Sequence, residues 1–148
     1  MDEFYKFLST TDTKKKQSVG TEIIDYLDNQ DNGIECEDIG AFIDGLVPWM
    51  QSSNFKVSQN GLDITGQLVC RLGGSFKPYL HTVLPAVTDR LGDGRESVRE
   101  RAQNVVGLIM DKVVEPQVLL EKMQGAFNHK NNKVREEMLL LFQNSLNR

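Results

Sequence analysis

No run in this 148-residue chain approaches the 18 or more apolar residues that would span a bilayer, so no membrane role is expected. Cysteine is scarce. Cys36 and Cys70 stand apart in apolar-periodic contexts and read as buried, reduced thiols. There is no C-x-x-C, and neither His81 nor His129 has Cys/His partners at zinc spacing, so no metal or other cofactor is expected. Positive charge is in deficit: 17 Lys and Arg face 21 Asp and Glu, and a net charge of −4 argues against a general nucleic-acid binder. The first residues, MDEFYKFLST, are acidic and polar and do not read as a signal peptide, and no N-x-S/T sequon follows. These absences fit a cytosolic protein.

Catalytic chemistry is missing too. No P-loop is present, and LGGS and GDG read as glycines at helix ends rather than phosphate cradles. No Ser/His/Asp or Cys/His set can be singled out, so the chain reads as a non-enzyme. The stretch DNQDNGIECEDI (28–39) has the outline of a calcium loop. Gln30 at its third position could donate an oxygen, but Ile39 stands where the bidentate glutamate belongs, leaving an acidic interhelical turn.

What is present is a repeat. LGDGRESVRE (91–100) and FNHKNNKVRE (127–136) both end in Val-Arg-Glu behind loops of equal length. Val98 and Val134 are 36 residues apart, and two backward steps of 41 reach Val57 and Lys16. Seven residues past these anchors stand Ile23, Ile64, Val105 and Leu141, and eleven past them Leu27, Leu68, Ile109 and Ser145. The intervening positions include Ile24, Thr65, Val106 and Phe142, and Leu146 closes the last unit. Steps of three, four and seven make one buried helical face. Met50, Leu91 and Phe127, each seven residues before an anchor, close a preceding helix. The unit is helix–loop–helix with a period of 36–41 residues, which predicts an all-α solenoid of HEAT or armadillo type. Four units are expected, over about 2–28, 35–72, 75–113 and 115–147, in a single domain spanning 1–148. Pro78 and Pro116 fall early in helices, whereas Pro48 and Pro85 fall late in first helices and are expected to kink or shorten them. Asp93 is placed to cap the following helix or to accept from Arg99.

In a solenoid the loops inside the units line up along one edge. Here they are TDTKKKQ, SSNFK, GDGRES and NHKNNK; only the third is negative, and together they carry +4, leaving −8 on the rest. A basic edge on an acidic body reads as a docking surface for an acidic protein; the plainer reading is that loops are polar and tolerate lysine. Trp49, the one tryptophan, precedes the second loop. It reads either as a contact anchor or as a core residue beside Met50 and Phe55.

The stretches TVLPAVTDRLGDGRESVRERAQ (82–103), DGLVPWMQSSNFKV (44–57) and FNHKNNKVREE (127–137) closely resemble the N-terminal TOG domain of the CLASP family, the cytoplasmic linker-associated proteins. The resemblance covers nearly the whole chain. It implies a flat paddle of HEAT repeats whose intra-repeat loops contact tubulin, in a regulator of microtubule dynamics at plus ends, kinetochores and the cell cortex. By the same resemblance the chain belongs to the cytoplasm and its cytoskeleton, including the spindle. The matching contact positions are Thr11 to Lys14 in the first loop, Ser53, Asn54 and Lys56 in the second, Arg95 in the third, and Lys130, Asn131 and Lys133 in the fourth. Two departures accompany it. The first loop, STTDTKKK, lacks the tryptophan usual in tubulin-binding TOG domains, and four repeats stand where a full domain has six. The chain is therefore expected to be a fragment lacking two C-terminal repeats, or an unusually short relative. The alternative to tubulin docking is a degenerate scaffold that binds a non-tubulin partner or regulates neighbouring TOG domains.

Overall fold

The structure is a computed structural model that describes the backbone of residues 1–146 and the side chains of 1–143. All regular elements among the described residues are helical: α1 (Asp2–Tyr5), α2 (Thr13–Asp28), α3 (Ile39–Met50), α4 (Phe55–Leu72), α5 (Leu80–Arg90), α6 (Glu96–Lys112), α7 (Pro116–Lys122) and α8 (Asn132–Leu146). Two 3₁₀ segments, Gly73–Tyr79 and Gln124–Asn128, precede α5 and follow α7.

The helix limits follow from local chemistry. Asp12, Asp38 and Asn54 cap α2, α3 and α4 by accepting first-turn N–H groups. Pro116 opens α7, where its missing N–H costs nothing. α4 ends because Gly73 turns to φ +53°, a region that an L side chain rarely enters. Pro48 and Pro85 lie inside α3 and α5, and both helices continue past them.

Helices α2, α4 and α6 pack side by side in one layer, and α3 and α5 pair in the other, with α3 seated on α4 and α5 on α6. The repeating positions fill the space between the layers. Ile23, Ile64 and Val105 are fully buried, as are Leu27, Leu68 and Ile109. Val57, Val98 and Val134 are buried at the start of their helices, so Val-Arg-Glu marks the point where a second helix enters the core. Lys16, Ile24 and Leu141 are half-buried, and Ser145 and Leu146 lie outside the described side chains. The first unit departs most from the pattern, because its first helix is a single turn followed by loose turns through Thr10.

One expectation fails: Cys70 is exposed and Cys36 only half-buried. Val69 takes the inward position at that turn of α4, leaving Cys70 on the solvent side. Burial, followed by the negative charge of Asp2, pushes the Cys36 thiol above its ordinary value, which makes it a poor nucleophile.

The solvent face of the α2–α4–α6–α8 layer is tied from repeat to repeat by polar links. Gln67 donates to Asp28 (2.6 Å), Gln59 to Ser97 (2.7 Å), Arg101 to Asp63 (3.1 Å) and Gln103 to Glu137 (2.5 Å). Arg71 reaches the carbonyls of Asn29 and Asn32. Asp63 is pushed above the usual carboxylate value because burial outweighs the hydrogen bond and charge of Arg101. A carboxyl with a raised folded value holds its proton more tightly when folded. Ionised Asp63 therefore opposes folding at neutral pH, and that opposition fades as pH falls through the raised value. Asp63→Asn should leave the thermal midpoint at pH 7 unchanged or raise it by about 1–2 °C, with the difference closing on acidification. A clear drop at pH 7 would show that the Arg101 ion pair dominates instead.

Candidate docking edge

The four intra-repeat loops, residues 10–12, 51–54, 91–95 and 129–131, are built on one device. In each, an acceptor side chain takes the N–H two residues on. Thr10 Oγ1 accepts from Asp12 (3.3 Å), Ser52 Oγ from Asn54 (3.1 Å), Asp93 Oδ1 from Arg95 (2.8 Å), and His129 Nδ1 from Asn131 (3.0 Å). The second residue of the pair then caps the following helix in three loops. Asp12 receives Lys14 and Lys15 N–H, Asn54 receives Lys56 and Val57, and Asn131 receives Lys133. Arg95 occupies this place in the third loop and cannot cap with its side chain.

Side chains hold successive loops together. Trp49 Nε1 donates to the Leu8 carbonyl at 2.9 Å, Arg90 to the Gln51 carbonyl at 3.2 Å, and Asn131 Nδ2 to the Gly92 carbonyl at 3.2 Å. His129 adds a fourth link. Because its Nδ1 accepts from Asn131, the ring proton sits on Nε2 and is donated to Asp89 at 2.9 Å. These bonds span 39–41 residues, one repeat each, and they place the four loops along a single edge.

The ten sequence-derived candidates divide by what their side chains already do. Thr11, Lys14, Ser53, Lys56, Arg95 and Lys130 are exposed on the edge. Trp49 is fully buried, so the contact-anchor reading is wrong: its indole is a core side chain whose N–H fastens the first loop. Asn54 is half-buried and spends its side-chain oxygen on the α4 cap, while Asn131 both caps α8 and bridges to the third loop. Lys133 lies 3.1 Å from Glu137 and 3.8 Å from Glu136, so its charge is answered within α8. Asp93 neither caps α6 nor takes the Arg99 guanidinium on its carboxylate. Its Oδ2 pairs with Arg90 at 2.9 Å, and its main-chain oxygen receives Arg99 at 2.7 Å.

Lys14, Lys56, Arg95 and Lys130 have no carboxylate within 4.0 Å among the described residues. Of these four, Arg95 lies over an aromatic ring, and a second ring underlies the neighbouring Lys15 and Lys6. The Arg95 guanidinium sits 3.8 Å from the Phe55 centroid, and Lys15 and Lys6 stand 4.7 and 5.1 Å from that of Phe7. Phe7 and Arg90 escaped the sequence reading, and Phe55 entered it only as a core neighbour of Trp49. Arg90 alone left a signal there, standing one 41-residue period after Trp49.

A family model described as CLASP N terminal matches residues 38–148. The chain belongs to the CLASP family. It is 41% identical to a CLIP-associating protein of Drosophila melanogaster and 38% identical to CLIP-associating protein 1 of Xenopus tropicalis, with 99% of this chain covered in each case. This CLASP chain spans about a tenth of the length of those relatives, 10% of each. Among solved structures it is similar to the MAST/Orbit N-terminal domain, with a TM-score of 0.94 and 41% identity over 99% of this chain and 66% of that one. It is also similar to a domain of Crescerin, which uses a TOG domain array to regulate microtubules in the primary cilium; the TM-score is 0.76 at 25% identity, over 94% and 56% of the two chains. The CLASP fold is thus the all-α HEAT-repeat solenoid of TOG domains. Among its described residues no helix is long and apolar enough to cross a membrane, and no group of three or more His, Cys, Asp or Glu could hold a metal ion.

Proposed function

We propose that this chain is a non-enzymatic tubulin-docking TOG module of the microtubule cytoskeleton, and that it docks through the edge formed by its four intra-repeat loops. The observation that carries the reading is the placement of Lys14, Lys56, Arg95 and Lys130 on one hydrogen-bonded edge, each without a carboxylate partner among the described residues. A cation on a pre-ordered loop or first helical turn, with no such partner, is available to an acidic surface without first breaking an ion pair. Such contacts steer association and weaken as salt screens them. Thr11 and Ser53 supply neutral hydrogen-bonding groups beside them.

A scaffold that binds another protein, or that acts on a neighbouring TOG domain, is the second reading. It is favoured by the absence of tryptophan from the first loop and by the burial of Trp49, which together leave the edge without an exposed indole.

Co-elution with αβ-tubulin at low and at physiological salt separates the two. Under the docking reading the wild-type chain co-elutes at low salt and less at physiological salt. The Lys14→Glu, Lys56→Glu, Lys130→Glu variant should lose at least ~100-fold in affinity, because each reversal adds repulsion to a lost attraction. Its thermal midpoint should stay near wild type, since all three side chains are exposed. Wild-type protein that stays folded and elutes alone in both buffers supports the scaffold.

A further inference from the structure

We infer that Arg90 is a positioning residue of the docking edge: it sets the spacing between the second and third loops without being one of the groups presented to the partner. The inference rests on the docking reading and names how that surface is held.

Arg90 ends α5, and its side chain is 22% exposed. One terminal nitrogen meets Asp93 Oδ2 at 2.9 Å in the third loop, and the other donates to the Gln51 carbonyl at 3.2 Å in the second. The rigid guanidinium fork makes this a two-pronged strut, which a lysine cannot reproduce. Asp93 is in turn the hub of its loop. Its Oδ1 holds the Arg95 N–H and its carbonyl receives Arg99, so the position of Arg95 is transmitted through Asp93 from Arg90. Arg95 then lies over Phe55, the first residue of α4, closing a ring of contacts that joins loop to loop and helix to loop.

Trp49 stands at the same place one repeat earlier and performs the same task, donating back to the Leu8 carbonyl. The equivalent residue of the fourth unit, 36 residues after Arg90, is Ala126, which has no side-chain donor; there Asn131 reaches back to Gly92 instead. A link is thus kept at every junction while the side chain that makes it changes. That pattern distinguishes a spacing element from an incidental hydrogen bond. A partner that meets Ser53, Lys56 and Arg95 together requires the two loops at one fixed separation, and the affinity gain comes from not having to order them on binding.

The test is a double-mutant cycle on tubulin binding, paired with amide hydrogen exchange on the free protein. Arg90→Ala should weaken binding about tenfold. In an Arg95→Ala background the same change should cost less than about twofold, because the side chain it positions is gone. Arg90→Lys should fall between wild type and Arg90→Ala. In the free protein, Arg90→Ala should speed exchange several-fold at the Asn54, Lys56 and Arg95 amides while the centres of α4 and α6 keep their protection. Unchanged exchange at those three amides overturns the inference whether or not tubulin binds. A full Arg90→Ala penalty in the Arg95→Ala background also overturns it, since Arg90 would then act independently, and full recovery by lysine would reassign the effect to charge alone. Failure of the wild-type chain to bind defeats the docking reading and leaves the exchange result to decide the strut.

Discussion

Trp49→Ala should destabilise the domain by about 3–5 kcal/mol, enough to unfold much of it at physiological temperature. The indole is fully buried between α3 and its neighbours, and the truncation leaves a void that close-packed helices fill only in part. Trp49→Phe separates the two tasks of this side chain. It keeps most of the ring volume but leaves the Leu8 carbonyl without its donor, at a cost of about 1–3 kcal/mol. The damage should concentrate at the N-terminus, because α1 has only four residues and the segment after it has no long helix of its own. Urea unfolding gives both free energies, and hydrogen exchange should locate the second effect in residues 2–12. Because Trp49 is the only tryptophan, its fluorescence checks the premise directly. Wild-type emission should be blue-shifted and shielded from aqueous quenchers. Red, quenchable emission, or a Trp49→Ala protein of wild-type stability, would contradict the buried placement.

The second large effect compares two glycines at one repeat position, 41 residues apart. A Cβ built on Gly61 would lie 2.9 Å from the Met50 backbone nitrogen and 3.0 Å from Trp49 Cβ. Backbone at the end of α3 cannot swing aside, so α3 and α4 must separate. Gly61→Ala should therefore cost about 1–3 kcal/mol, despite the ~1 kcal/mol by which alanine favours a helix over glycine, and Gly61→Val should cost more. At Gly20 the added Cβ would meet the Asn60 side chain, at 2.5 Å from Nδ2. That amide can rotate away, giving up a long 3.5 Å bond to the Gln17 carbonyl. The remaining 3.0 Å contact with Asn60 Cβ involves no backbone atom and asks for a small shift of α4 against α2. Gly20→Ala should stay within about 1 kcal/mol of wild type, the propensity gain offsetting the lost bond. Equal penalties at the two sites, read from thermal or urea midpoints, would show that the difference between backbone and side-chain neighbours does not set the cost.

The layer of second helices and its inward face were legible because they depend on spacing alone. Ile23, Ile64 and Val105 recur at a fixed distance from their anchors, and apolar residues at that spacing have one low-energy place to go. The edge was legible as a set of loops, and the contact candidates Thr11, Lys14, Ser53, Lys56, Arg95 and Lys130 are exposed on it, their contacts with a partner standing as the proposal. Its internal wiring was not. Whether Trp49 faces the core or a partner turns on a hydrogen bond to a residue 41 positions earlier, and periodicity carries no information about the far end of that bond. Arg90 drew no notice in the sequence for the same reason. Cys70 was misplaced because its apolar-periodic context was taken to bury it, whereas α4 turns one residue past Val69 to the solvent side. The pairing of Lys133 with Glu137 was within reach, since four residues along a helix bring opposite charges together.

Each junction of the edge has a bond whose donor is a specific side chain and whose acceptor is main chain, the carbonyls of Leu8, Gln51 and Gly92; the last junction adds the side-chain pair of His129 and Asp89. A carbonyl is supplied by every amino acid, so neither Leu8 nor Gln51 is tied to its identity by the bond it accepts. Placement and chemistry of the loops are thereby separable, and the outward residues can be exchanged while their frame stays still. Drift, selection or an engineer could retune what this edge recognises one side chain at a time, with no compensating change in the repeats that carry it.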